Sequence, residues 1–532
     1  AVSFVLLIAL SNITTLFIVR AEERGQQRAV RAALGASQQR LLQHATSEAL
    51  LLAMLGGLGG LILAFTGTRA LIAMAPPSMP RLDDIEINRL VLGYVAAVSA
   101  VAGVVFAALP MWTMRSTRWL PHLAGAGQNT MQGPERARIR EGLVAAQVAL
   151  AVVLLIGSGL MVRSYAKLKS VDPGFDPEDV STFGLMPPAT RYSYDEAVAL
   201  YSSLVERLGA LPGVRSAAVT TSLPLMPLRV PIMHLDIEDF PDFPALTDVR
   251  WVTPGYFETM RVPILSGRTM LPEDVNEPRF FANAALAERW GPTTSAIGRR
   301  IGARWASARW GEITGVVGDG HARGLEFSVA SGAYIPIGGP FTVRRDPARP
   351  LMILSPVSVA VRTNEESRDL VPALRREVAL LDPELPLMDI RSMEEVLSES
   401  DAVSRTSFTM LLLLISAGIA LVLGAVGIYG VIAYSLSRRT AEIGVRVALG
   451  ATSANILTRV VSVGMTPALV GIGVGIGIAL WGSRVLSALL FETNRLDPST
   501  FLAAPGLLLL VAALACLVPA WRAITIDPVR AL

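Results

Sequence analysis

The sequence predicts a membrane protein of about seven transmembrane helices in two related repeats, with an α+β domain between them that has a split βαβ core and a β-rich inserted lobe. Three observations carry this prediction. One stretch occurs twice, as Arg24-Gly-Gln-Gln-Arg-Ala-Val-Arg-Ala-Ala-Leu-Gly-Ala36 and as Arg439-Thr-Ala-Glu-Ile-Gly-Val-Arg-Val-Ala-Leu-Gly-Ala451. Seven apolar runs are long enough to cross a bilayer, a distance that takes roughly 20 residues of helix. Between the fourth and fifth runs the composition becomes that of a folded domain in water, with Pro, Gly, Asp and Trp throughout.

At 532 residues and 52% hydrophobic content the chain exceeds the size at which one core usually suffices. A mean hydropathy of +0.48 points to lipid as part of its solvent. The basic residues are almost all arginine, Lys167 and Lys169 being the only lysines, and a net charge of +3 argues against nucleic-acid binding. The sole cysteine, Cys516, lies in an apolar run, which excludes an intrachain disulfide framework and a cysteine-rich metal site. The chain opens at Ala1 inside an apolar stretch without the charged leader and cleavage pattern of a signal peptide, and is read as beginning at a truncated or processed end.

The spans fall at 1–19, 47–75, 90–111, 143–163, 407–434, 457–490 and 502–520. Arginines collect in cytoplasmic loops. Here they cluster after the first span (Arg20, Arg24, Arg28, Arg31, Arg40), between the third and fourth (Arg115, Arg118, Arg136, Arg138, Arg140) and after the fifth (Arg438, Arg439, Arg446, Arg459). The opposite connections carry Asp83, Asp84 and Glu86, and Glu492 and Asp497. All seven spans then alternate, and residues 165–404 lie outside. The expected domains are a first repeat of three spans at 1–114, a cytoplasmic linker at 115–142, a single span at 143–164, the outer domain with its stalk at 165–404, and a second repeat of three spans at 405–532. Glycines within the spans, Gly56 and Gly60 in the first repeat and Gly471, Gly473, Gly475 and Gly477 in the second, are expected at helix contacts, because glycine lets backbones approach closely in lipid.

In the outer domain, Val180–Leu185, Tyr194–Leu211 and Val214–Thr220 read as strand, helix, strand. Val357–Arg362, Leu370–Leu381 and Leu387–Ile390 repeat that order, and the pair fits a split βαβ arrangement with 245–350 inserted as a second, mostly β lobe. The insert is rich in turn signals such as Ser266-Gly267, Gly318-Asp319-Gly320 and Gly338-Gly339-Pro340. Met393, Val396 and Leu397 mark a short amphipathic helix over 392–406, which pairs with the end of the fourth span as a stalk.

The repeated stretch reads as a helix with a stop. Glu442 precedes Arg446 by four residues, the favoured order for a helical ion pair. Gly450 can end that helix in the left-handed conformation, and Thr452 or Ser453 can cap the next. The first copy has Gly35 and Ser37 in these roles but carries Gln27 where the second has Glu442. A short helix at the cytoplasmic surface fits docking in the cleft of a cytoplasmic partner. The alternative is a basic juxtamembrane segment held by anionic headgroups. Arg24, Gln27, Arg31, Leu34, Gly35, Arg439, Glu442, Arg446, Leu449 and Gly450 are the candidate docking residues.

The 439–451 pattern and the closing stretch Val518-Pro-Ala-Trp-Arg-Ala-Ile-Thr-Ile-Asp-Pro-Val-Arg-Ala-Leu532 resemble the FtsX-like permease domain of MacB-type ABC transporters. Val252-Thr-Pro-Gly-Tyr-Phe-Glu-Thr-Met-Arg-Val-Pro-Ile-Leu-Ser-Gly-Arg268, Leu211-Pro-Gly-Val214 and Asp172-Pro-Gly-Phe175 resemble the MacB-like periplasmic core domain. Two permease domains in one chain are similar to the duplicated permeases of Acidobacteria and some other bacteria. The resemblance implies a multi-pass subunit of the bacterial inner membrane, its large domain periplasmic. It also implies a separate cytoplasmic ATPase that binds ATP and Mg, and a periplasmic adaptor or outer-membrane protein as a further partner. By the same analogy the mechanism is mechanical, coupling ATP hydrolysis to motion of the periplasmic domain for efflux, extraction of a lipid-linked substrate, or regulation of a periplasmic protein.

No chemistry of its own is written in the chain. Neither lysine follows a glycine, so the phosphate-binding loop of an ATPase is not expected, and no cofactor is. His44, His122, His234 and His321 are scattered. Asp319 and His321 read as a surface turn rather than a catalytic pair. Asp236, Glu238, Asp239 and Asp242 read as a solvated acidic edge rather than a cation site. The competing functional readings are a membrane-anchored hydrolase or binding receptor, and a permease-like scaffold without energy coupling.

Overall fold

The computed structural model describes residues 2–23, 38–74, 85, 88–115, 134–188, 190–226, 231–240, 245–303, 310–341, 356–364, 370–438 and 452–524. The chain divides into two compact units, and it passes between them inside two long helices.

The first unit is helical. Four helices precede the second unit, α1 (Val2–Glu23), α2 (Gln38–Met74), α3 (Arg89–Arg115) and α4 (Pro134–Lys169). Three follow it, here α8 (Asp401–Arg438), α9 (Ser453–Leu486) and α10 (Pro498–Ile524). Among the described residues, five helices are long and apolar enough to cross a membrane, over Ala53–Met74, Arg138–Lys169, Asp401–Leu436, Gly464–Leu489 and Pro498–Leu517. Further apolar segments among the described residues, Val2–Leu16 of α1 and Arg89–Val101 of α3, lie in the other two expected spans. One hydrophobic core joins α1, α4, α8, α9 and α10 through residues such as Ile8, Val148, Val152, Ile428, Ile472 and Leu508. Helix α2 packs on α3, and α3 on α1.

The second unit, Leu168–Arg405, is built on an 11-stranded sheet. In chain order it contains β1 (Val180–Leu185), α5 (Tyr194–Gly209), β2 (Val214–Thr220), β3 (Ile232–Ile237), β4 (Ala245–Val252), β5 (Ile264–Gly267) and β6 (Arg279–Asn283). There follow β7 (Arg300–Ala303), β8 (Trp310–Val317), β9 (Gly332–Pro336), β10 (Val357–Thr363), α6 (Val371–Leu381), β11 (Leu387–Ser392) and α7 (Met393–Ser398). Four strands run in the order β11-β1-β10-β2, each antiparallel to its neighbour, so that β10 separates β1 from β2 and β1 separates β10 from β11. Helix α5 starts at a capping box, with Ser193 Oγ accepting from the Glu196 N–H and the Glu196 carboxylate accepting from the Ser193 N–H. Its Ala197, Leu200, Tyr201, Leu204 and Leu208, spaced at three and four residues, form the buried face.

The inserted strands close on themselves. The path β4-β3-β7-β8-β6-β9 returns to β4 through a parallel ladder in which Val249 pairs with Ala333 and Trp251 with Ile335. This six-stranded ring begins at β3, earlier than the expected start of the insert. It is not a free-standing lobe, because Thr220 of β2 pairs with Val252 of β4 and one buried cluster runs from Phe183 and Val359 to Trp251, Phe280 and Ile313. The helix expected over 392–406 is divided: α7 has its own Ser392–Glu395 capping box, and α8 begins at Asp401.

Candidate functional site in the helical bundle

The docking residues Arg24, Gln27, Arg31, Leu34, Gly35, Arg439, Glu442, Arg446, Leu449 and Gly450 lie outside the described residues. The helices on either side of them are described, and they keep the register of the repeat. With Gly35 set on Gly450, the end of α1 at Glu23 falls on the end of α8 at Arg438, and the start of α2 at Gln38 falls on the start of α9 at Ser453. Each copy of the repeated stretch therefore joins equivalent ends of two long apolar helices.

The glycines divide by helical face. A Cβ added at Gly471 would lie 2.8 Å from Val148 Cβ of α4, and one at Gly475 would lie 2.7 Å from the Ala149 carbonyl oxygen and 2.8 Å from Val152 Cβ. Both are closer than ordinary van der Waals contact, so these two glycines, one turn apart, set the approach of α9 to α4. Gly473 and Gly477, also expected at helix contacts, differ: among the described residues an added Cβ at either meets nothing within 4 Å. They lie two residues on, about 200° around the helix, on another face. Among the described residues an added Cβ at Gly56 or Gly60 meets nothing within 4 Å, whereas one at Gly57 would lie 3.1 Å from Ser99 Oγ of α3. Sequence reasoning also missed Gly159, whose Cβ would meet Thr500 Cγ2 at 2.7 Å, and Gly427, which faces side-chain amides.

Those amides belong to Asn12 of α1 and Gln147 of α4, both buried. Asn12 Nδ2 donates to the Leu423 carbonyl of α8 at 2.7 Å, and Gln147 Nε2 donates to the same oxygen at 2.6 Å and to Asn12 Oδ1 at 3.2 Å. Ser11 Oγ donates to the Leu143 carbonyl at 3.2 Å, adding a second bond between α1 and α4. In an apolar bundle such amides are costly unless bonded, and here they bond three helices at one point. An amide inside an apolar run was the available signal.

A second cluster fixes the end of α4. Arg163 pairs with Asp497 at 2.6 Å, Ser164 Oγ accepts from the Phe491 N–H at 2.8 Å, and Lys167 Nζ donates to the Glu492 carbonyl. Asp497 caps α10 by accepting from the Thr500 N–H at 2.8 Å. Burial opposes its ionisation, but hydrogen bonds from Ser499 and Thr500 and the Arg163 charge prevail and push its pKa down to about 2. The acidic loop read from the sequence thus holds the end of the helix that leads into the second unit.

In the second unit the three Pro-Gly motifs are turns with glycine at positive φ: Gly174 (79°), Gly213 (85°) and Gly255 (90°). Gly174 is irreplaceable on space as well, because a Cβ there would collide with the Asp319 carbonyl oxygen. Beside this turn, the buried Arg362 of β10 donates to the carbonyls of Thr259, Glu178 and Asp176, each at 2.7 Å. Burial lowers its pKa. Asp319 accepts from the Ala285 N–H at 2.9 Å, while His321 Nδ1 lies 3.3 Å from the Gly324 carbonyl, so the two hold separate parts of the turn. On the acidic edge, Asp239 accepts from Trp290 Nε1 at 2.7 Å and pairs with Arg299 at 3.3 Å, and Glu238 pairs with Arg300 at 3.1 Å. Asp242 lies outside the described residues. Among the described residues no three His, Cys, Asp or Glu side chains gather as a metal-ligand set.

The family model for the FtsX-like permease C-terminal domain matches residues 1–118 and 414–528. The chain is 26% identical over 289 residues to the uncharacterized ABC transporter permease YknZ of Bacillus subtilis, a match that covers 53% of this chain and 69% of that one. It is 32% identical over 170 residues to the macrolide export ATP-binding/permease protein MacB of Syntrophobacter fumaroxidans, covering 32% of this chain. The match spans only 24% of that MacB chain. The crystal structure of the periplasmic region of MacB from Actinobacillus actinomycetemcomitans aligns with 43% of this chain and 95% of that one, at 13% identity and a TM-score of 0.30. Residues 1–118 and 414–528 thus carry FtsX-like permease domain sequence, in a membrane chain homologous to the YknZ and MacB permeases.

Proposed function

We propose that the chain is the permease component of an ABC transporter in the bacterial inner membrane, with residues 165–404 in the periplasm, and that it is driven by an ATPase on a separate chain. The observation that carries this reading is the repeated stretch itself: it joins equivalent helix ends in both FtsX-like regions, at Glu23 and Gln38 and at Arg438 and Ser453. In this reading ATP and Mg are bound by the cytoplasmic partner, and the two stretches are its docking helices. Arg446 and Glu442 make the main contact, and the Gln27 copy makes a weaker one.

The transmission path follows from the packing. Displacement of the 439–451 segment is passed into α8 and α9, which end and begin beside it. The close approach of α9 at Gly471 and Gly475 passes it to α4. Helices α4 and α8 both continue in sequence into the second unit, where motion acts on a periplasmic substrate, a lipid-linked molecule or a partner such as an adaptor or outer-membrane protein. This is work by mechanotransmission, and it requires no catalytic residue in this chain.

The test is purification of the full chain from its native membranes with its bound proteins, followed by an ATPase assay. A stoichiometric ATPase that is lost on Arg446→Glu, with the chain still folded, is the expected result. Intact coupling in that variant would remove the docking assignment. Recovery of the chain with no nucleotide-binding protein would favour an uncoupled scaffold or binding receptor.

A further inference from the structure

The repeat register that sets Gly35 on Gly450 also sets Asn12 on Gly427, and these two equivalent positions meet in the bundle. A Cβ added at Gly427 would lie 2.6 Å from Asn12 Oδ1 and 2.6 Å from Gln147 Oε1. Two equivalent helices that touch at the same position reproduce the geometry of a two-fold interface between identical subunits, where a residue on the axis faces its own copy. Here the facing residues differ. One is an amide and the other has no side chain.

The difference is complementary. Asn12 is 5% exposed and Gln147 is 1% exposed, and both amides donate to the Leu423 carbonyl, which lies one turn before Gly427. They reach that oxygen across the space a side chain at 427 would fill. Pairing α1 with a second α1 would set amide against amide in that space and supply no glycine to receive them. Pairing α8 with a second α8 would set glycine against glycine and leave both Leu423 carbonyls without the Asn12 donor. Ile8 and Thr15, one turn to either side of Asn12, are also buried, so the seam continues along α1.

We propose that Asn12, Gln147 and Gly427 form a pairing lock, which makes the first permease repeat recognise the second repeat of the same chain in preference to the equivalent repeat of another copy. A single buried amide fixes register and partner number in coiled coils by the same logic, because every mispairing strands a polar group. The lock makes one chain a complete seam in the membrane, and it holds whether or not an ATPase docks.

The test uses the full chain in its own membranes. Asn12→Cys with Gly427→Cys, in a background where the only cysteine is removed by Cys516→Ser, is oxidised and examined on a non-reducing gel and by peptide mass spectrometry. A 12–427 linked peptide from a band at the monomer position is the expected result. Failure to cross-link while both thiols react with a maleimide overturns the α1–α8 contact on which the proposal rests. A second measurement counts chains per particle in lipid nanodiscs. The unaltered chain is expected as one copy, and Asn12→Gly with Gln147→Leu is expected to raise the two-copy fraction at least threefold. A variant as fully single-copy as the unaltered chain would show that the amides carry no pairing specificity.

Discussion

The approach of α9 to α4 makes an unusually sharp comparison possible, because glycines two residues apart on α9 have opposite surroundings. At Gly475→Ala the new methyl group would sit 2.7 Å from the Ala149 carbonyl oxygen and 2.8 Å from Val152 Cβ. Restoring an ordinary carbon–carbon contact near 3.4 Å requires α4 to retreat by about 0.6 Å. Overpacking of that size costs about 1–3 kcal/mol. At Gly473→Ala the methyl group meets nothing within 4 Å, and replacing a helical glycine alone gains up to about 1 kcal/mol. The helix-propensity gain is common to both variants, so their difference isolates the contact. With about 2–4 °C of melting temperature per kcal/mol for a unit of this size, Gly475→Ala should melt roughly 2–12 °C below Gly473→Ala. Cys516 provides the assay, since it is the only cysteine and is fully buried on α10. A maleimide fluorophore that brightens on thiol attachment will report its exposure as the full chain is heated in detergent. Equal shifts of the two variants would refute the assignment of this glycine pair to the α4 contact.

Other outcomes follow from the second unit. Arg362→Met removes the donor to three carbonyls at once, and with about 1–3 kcal/mol for each buried acceptor left unmade, a loss of about 3–9 kcal/mol is expected. Hydrogen exchange in the full chain should quicken at 174–180 and 256–262, and unchanged exchange there would contradict a role for Arg362 in holding these two segments together. Asp382 accepts from Tyr192 Oη at 2.5 Å and Arg191 Nη2 at 2.6 Å, and these bonds lower its pKa to about 2. A carboxylate depressed on folding stabilises the fold above its ordinary value near 3.8 and loses that contribution as pH falls from about 4 to about 2. Thermal unfolding by circular dichroism at pH 6, 4 and 2.5 should show this acid limb, reduced in Asp382→Asn. Gly174→Ala should destabilise the 172–175 turn more than Gly209→Ala, where no neighbour lies within 4 Å, and quicker proteolysis at the turn would register it.

Elements governed by local sequence were legible. Ser193 and Glu196 announce the start of α5, and its three- and four-residue apolar spacing announces the buried face. The Pro-Gly turns were legible because only glycine takes φ near 80–90° without strain. The six-stranded ring was not legible, because it closes through the β4–β9 and β6–β8 ladders, parallel pairings between strands that are not neighbours in the chain. Glycine spacing was read too generously: it finds candidates, but only the rotation of the helix decides that Gly475 touches α4 and Gly473 does not. Asn12 and Gln147 were passed over since neither belongs to a motif, although each is an amide in an apolar run.

The strand order of the second unit has a further consequence for how such a chain can be assembled from parts. Its first strand and its last lie side by side, with Ser181 opposite Ser392, so the start of β1 and the end of β11 are antiparallel neighbours about 5 Å apart. A domain with its ends so close behaves as a cassette, which can be spliced into a helix-to-helix connection without pulling the helices apart. Repeats of one membrane design can then carry different cassettes, or a single membrane scaffold can exchange one for another while its helical packing stays unchanged.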